Sequence, residues 1–136
     1  MKNWLNKDPG TEKKTIPQEF SCDDAHEIFD YPNFLNRVMG DEELAMSILQ
    51  EFMNLIDQHA DKLRKGIESG DHETVRQISH MIKGESGNIS ASSLYECAYT
   101  IETSAKNLDR DRQHQMLPVL FKAIDNLKKA INNVLK

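Results

Sequence analysis

The sequence predicts an all-α fold: an antiparallel up-down-up-down four-helix bundle with a short extra N-terminal helix. Three observations predict it. Four long segments carry apolar residues at the 3.6-residue period of an amphipathic helix. The connections between them are short, which makes neighbouring helices antiparallel. No segment alternates apolar and polar residues in the manner of a half-buried strand.

Residues 1–20 are polar, with Pro9–Gly10, a Lys13–Lys14 pair and Pro17, and read as a flexible tail or linker. Trp4 lies within it. The domain itself is expected to span residues 21–136. Residues 21–30 can hold a helical turn with Ser21 as its cap. YPNFLNRVM then reads as a short helix starting at Pro32, a residue suited to a first helical position. Gly40–Asp41 marks a break, with Asp41 as N-cap and Glu42 and Glu43 favourable in the first turn. Leu44, Ile48, Phe52, Leu55, His59, Leu63 and Ile67 form the next stripe, widened by Ala45, Leu49, Ile56 and Ala60. His59 on that face reads as a packed, hydrogen-bonded histidine. Gly66 softens the helix end, and Gly70–Asp71 supplies a stop and a new N-cap.

A helix from about 71 to 89 follows, with Val75, Ile78, Ile82 and Ile89 as its apolar face. After it, Ser93 with Glu96 fits a capping box, an earlier cap being the alternative. The stripe Leu94, Ala98, Ile101, Ala105 and Leu108 leads to a polar turn at 108–113. The last stripe is Met116, Leu120, Ala123, Leu127, Ala130 or Ile131, and Val134. Pro118 requires that this helix either begin just before it or kink there.

At 136 residues the chain suits one domain. Its net charge of −5 argues against a nucleic-acid partner, which favours a basic face. There is no lysine-rich amphipathic helix of the membrane-surface type. MKNWLNKDPG has no apolar signal core, and the run MLPVLF is far short of the ~20 residues that span a bilayer. Cys22 and Cys97 belong to no metal or redox motif, and Cys97 reads as a small buried hydrophobe. A cytoplasmic location and a monomer are expected.

The run SHMIKGESGNIS (79–90) carries the chemistry. His80 lies about 160–200° around the helix from Ile78 and Ile82, so it points away from the core. Lys83, Gly84 and Gly87 share that outer side, as does Gln77, and Arg76 is one turn before. Each exposed helical glycine costs roughly 1 kcal/mol relative to alanine. Close approach by another molecule's backbone is a reason to keep them. A hairpin centred near residue 91 sets His80 level with Glu102, Lys83 with Tyr99, and Arg76 with Lys106. Tyr95, Tyr99, Glu102 and Lys106 form one flank of the later helix. If that flank faces His80, Glu102 accepts a hydrogen bond from one ring nitrogen and leaves the other its lone pair. A neutral imidazole is a nucleophile that needs no base. A phosphoryl group suits such a site, because its transfer demands mainly positioning and charge stabilisation.

HMIKGESGNIS resembles the motif of histidine phosphotransfer (HPt) domains, in which His-x-(apolar)-Lys-Gly opens a longer signature. The resemblance runs from about Phe29 to Leu135. It includes an acidic, Leu-rich segment before the motif and the pair Ile101–Glu102 after it. It implies that His80 accepts and donates phosphate and that Lys83 and Gly84 support the phosphoryl site. Gly87 would let a partner come close. Glu102 and Lys106 fall where the family often has a polar group near the imidazole and a second basic residue. The chain departs from the pattern at Ser90, where the family usually has glycine, and at Glu85, where it tends to have a small residue.

The resemblance implies a phosphorelay carrier rather than an enzyme. It would exchange phosphate with response-regulator receiver domains or a hybrid sensor histidine kinase. It would need no cofactor of its own, Mg²⁺ belonging to the receiver. A glycine-rich nucleotide loop is absent, which excludes an autonomous kinase. A carboxylate-bridged metal bundle needs inward Glu-x-x-His pairs, and none of the five histidines has one. The rival reading is a non-catalytic helical adaptor, against which the intact His80–Lys83–Gly84 stands.

Overall fold

The computed structural model describes residues 28–135. The readings of Trp4, of Ser21 as a cap and of Cys22 therefore lie outside the described residues. From Tyr31 onward, the described residues form five helices in order: α1 (Tyr31–Arg37), α2 (Glu42–Ser69), α3 (His72–Asn88), α4 (Ser92–Lys106) and α5 (Arg110–Leu135). No strand occurs among the described residues. α2 to α5 form the antiparallel bundle, each helix packing on its two neighbours, and α1 rests on α2. The interface of α3 with α4 is the most extensive.

Each helix start has a local cause. Asp30, Asp41 and Asp71 accept from the backbone N–H of Asn33, Leu44 and Thr74. Asp109 does the same for Arg112 at the start of α5, at 3.1 Å. This satisfies N–H groups that have no partner within the helix. α4 is the exception: its N-cap is Ala91, with no side-chain cap bond. The expected Ser93–Glu96 box does not form, and the cap lies two residues earlier, the alternative that the sequence left open. Ala91 is fully buried, so packing sets this start.

Helix ends follow one pattern. Met39, Gly70, Ser90 and Leu108 adopt left-handed φ values of 61°, 76°, 62° and 57°. The next residue then bonds back to the last helical turn, as in Asp71 N–H to Gly66, Ala91 N–H to Ser86 and Asp109 N–H to Ser104. This is the Schellman arrangement, which usually takes glycine. Only one of these four positions has it.

The core differs from the expected stripes in phase. In α2 the buried line is Ala45, Leu49, Phe52, Ile56, Ala60, Leu63 and Ile67, while Leu44 is 46% exposed. The residues read as widening the stripe are its centre. Gly66 is buried there, and a Cβ on it would stand 3.1 Å from Thr74 Cγ2. It serves the close approach of α2 and α3. In α3, Ser79 and Ser86 are fully buried beside Val75 and Ile82. Their hydroxyls donate to the carbonyls of Val75 (2.6 Å) and Ile82 (2.7 Å), so neither polar group is stranded. α5 begins at Arg110, well before Pro118, which excludes a start at the proline. Pro118 is exposed, and it has no N–H to offer the His114 carbonyl one turn before. Gln113, read as part of a polar turn, is a buried residue of α5 and bonds His72 Nδ1 at 3.0 Å.

Candidate functional site

α3 carries His80 on the side opposite its buried line. The imidazole is 66% exposed. Its Nδ1 lies 2.9 Å from Glu102 Oε2 on α4. Lys83 Nζ lies 2.9 Å from the other carboxylate oxygen, Oε1. Glu102 is therefore a buried carboxylate, 4% exposed in its side chain, bridging an imidazole and an ammonium. The Lys83 contact is a close ion pair without good hydrogen-bond alignment, and Oε1 has no other donor. Burial is the strongest influence on the Glu102 carboxyl and pushes its pKa up. Lys83 and then His80 oppose it, and the net direction is below the ordinary 4.5. Pairing with Glu102 holds Lys83 above its ordinary value.

An ionised Glu102 can only accept, so Nδ1 donates. His80 is thereby held in the tautomer with its proton on Nδ1 and its lone pair on Nε2. Equal heights about residue 91 bring Glu102 to His80, and the flank carrying Glu102 does face α3.

Lys83 was expected to be exposed. It is 19% exposed instead, lying 5.3 Å from the Tyr99 ring centroid while reaching Glu102. Its stem covers apolar surface and its charge meets the carboxylate, which draws it inward. Gly84 is open: a Cβ there would meet nothing within 4 Å. Gly87 is helical, and a Cβ on it would stand 3.2 Å from the Tyr95 ring. Tyr95 and Tyr99 are exposed on the α4 side.

Not every expected member joins the cluster. Lys106 is exposed at the end of α4 and is no partner of Glu102. Arg76 is bound to Glu73 on its own helix, at 2.6 Å. Glu85 is turned away and pairs with His59 Nδ1 on α2 at 3.0 Å. Its charge is thus spent between α2 and α3 rather than beside His80, and His59 is the packed, bonded histidine its position predicts. Arg37 was missed. Its guanidinium reaches from α1 to the Gly87 carbonyl at 2.7 Å. No local pattern signals a contact across fifty residues.

No helix among the described residues is long and apolar enough to cross a membrane. Among curated proteins, the chain is similar to the phosphorelay intermediate protein rdeA of Dictyostelium discoideum, at 24% identity over 109 residues. That match covers 80% of this chain and 41% of the relative. No solved structure matches it. The family model for the Hpt domain matches residues 47–134, which include α3, α4 and the whole His80 cluster. This is more than half of the chain, and the chain belongs to the Hpt domain family, whose role is phosphotransfer in signalling.

Proposed function

We propose that the chain is a phosphorelay carrier with His80 as its phosphorylated residue. One observation carries this: an exposed imidazole whose Nδ1 is bonded to a buried carboxylate, leaving Nε2 outward. A receiver domain bearing an aspartyl phosphate docks over the His80 face. The Nε2 lone pair attacks phosphorus in line, the Nε2–P bond forms, and the P–O bond to aspartate breaks. The aspartate leaves as carboxylate. The ring carries a positive charge, which Glu102 stabilises through the retained Nδ1 proton. Lys83 lies one turn from His80 and offers its ammonium to the phosphoryl oxygens. Gly84 keeps the approach open, and Gly87 lets the Tyr95 ring lie against α3 at the edge of the same face. Lys106 adds positive charge at the far edge of the face.

A second receiver's aspartate then takes the group by the reverse step. Mg²⁺, where required, belongs to the receiver. The protein is a substrate-like intermediate with no kinase activity of its own. It acts as a monomer in the cytoplasm.

Incubation with a phosphorylated cognate receiver should place an acid-labile, base-stable label on the protein. His80→Gln should abolish it. His114 is the instructive control: it is also exposed, but its Nδ1 is bonded to the Arg110 carbonyl of its own helix rather than to a carboxylate. Label persisting in His80→Gln rejects the assignment.

A further inference from the structure

The end of α3 is held from outside the bundle. Four contacts run from α1 and its N-cap onto the turn that follows the site helix. The Asp30 N–H donates to the Ser90 carbonyl at 3.0 Å. Arg37 donates through one nitrogen to the Gly87 carbonyl at 2.7 Å and to Ser90 Oγ at 3.3 Å. Ser90 Oγ in turn donates to Asn33 Oδ1 at 2.7 Å. The turn needs such support, because Ser90 stands at φ 62°, a conformation unfavourable for a residue with a Cβ. Gly87 lies two turns beyond His80, about 10 Å along the helix axis. It is also where the Tyr95 ring closes against the backbone. The matched family region begins at residue 47, after α1. The role of α1 must therefore be argued from these contacts.

We infer that Arg37 is a positioning residue for phosphotransfer. It fixes the Gly87 carbonyl and the Ser90 turn, and so sets the surface that a receiver meets beside His80. This rests on the phosphorelay reading. Arg37 does not touch the imidazole, Lys83 or Glu102, so the inference separates docking from chemistry. A charge-assisted hydrogen bond is stronger than a neutral one, and the planar guanidinium carries Nη1 farther along the side chain and fixes the directions of its two N–H groups, which lysine's shorter, freely rotating ammonium does not.

The test compares two phosphoryl donors on the full chain. Phosphoramidate, a small donor, needs the His80 cluster but no docked surface. A phosphorylated receiver that labels the wild type needs both. Arg37→Ala should label normally with phosphoramidate and lose roughly tenfold in transfer at subsaturating receiver. The loss should lie in the receiver concentration needed, with the saturated rate retained. Arg37→Lys should not restore transfer, because charge alone does not rebuild the clamp. Asn33→Ala removes only the Ser90 hydroxyl's acceptor and should show a smaller loss of the same kind. It decides the matter if Arg37→Ala fails to fold. Equal losses with both donors, full rescue by lysine, or unchanged receiver kinetics in the folded variants would overturn the inference. Failure of both donors to label wild-type His80 would instead reject the phosphorelay reading itself.

Discussion

A buried carboxylate is costly to leave half-paired, and Glu102 holds two partners, His80 and Lys83. Removing either should be felt in stability as well as in chemistry. Lys83→Ala leaves Glu102 with the imidazole alone. It should lower stability by about 1–2 kcal/mol in a denaturant titration, and it should shorten the phosphohistidine lifetime. An unchanged midpoint would mean that Lys83 is a solvated surface charge after all. The glycines divide in the same way. Gly84→Ala meets open space, so helix propensity should stabilise the fold by up to about 1 kcal/mol. Gly87→Ala gains the same propensity but presses on the Tyr95 ring at 3.2 Å. Its melting point should rise less than that of Gly84→Ala, and scanning calorimetry on the pair reads the difference. The outward histidine, the lysine one turn on and a carboxylate level with the imidazole were legible from helix and hairpin geometry, but which flank of α4 faces His80 was not. The inward lean of Lys83 was not, because it depends on where Tyr99 and Glu102 sit on another helix. The Glu85–His59 pair is another interhelical contact that spacing does not reveal.

At the scale of the elements, caps and breaks were legible and phases were not. Asp41 and Asp71 act through their own third residue, so a short stretch of sequence contains the whole device. The left-handed closures at Met39, Ser90 and Leu108 have no such signal, since each occupies a position where glycine is the usual marker. Serines 79 and 86 hid half of the α3 core face, because bonding to their own helix lets polar residues be buried. The closures have a measurable consequence. Leu108 is 66% exposed at φ 57°, so little packing offsets its strain. Leu108→Gly should stabilise the fold by about 1 kcal/mol. Ser90→Gly relieves the same strain but loses the Asn33 and Arg37 contacts, so it should gain less. A thermal melt of the two variants side by side checks the order, and the reverse order would show that the α1 contacts on Ser90 contribute nothing.

For the whole molecule, the acid side of the stability curve should report the site. Glu102 titrates below its ordinary 4.5 in the folded state. Its contribution is therefore complete above that value and is lost as pH falls through the lowered folded value. Asp61, Asp71 and Glu73 are lowered too, by Arg64, Thr74 and Arg76 respectively, and they add to the same limb from the exposed surface. Glu102→Gln should make the curve shallower below about pH 4.5, whereas an unchanged slope would assign the limb to the surface pairs. The same substitution removes the acceptor that holds the His80 proton on Nδ1. The helices and their ends together hold one exposed imidazole with its Nδ1 bonded to a buried carboxylate. The most direct test is therefore nitrogen and phosphorus NMR of the protein after transfer from a receiver. The expected spectrum has phosphorus bonded to Nε2 of His80 with a proton retained on Nδ1. Phosphorus on Nδ1, or on any other residue, would contradict the account.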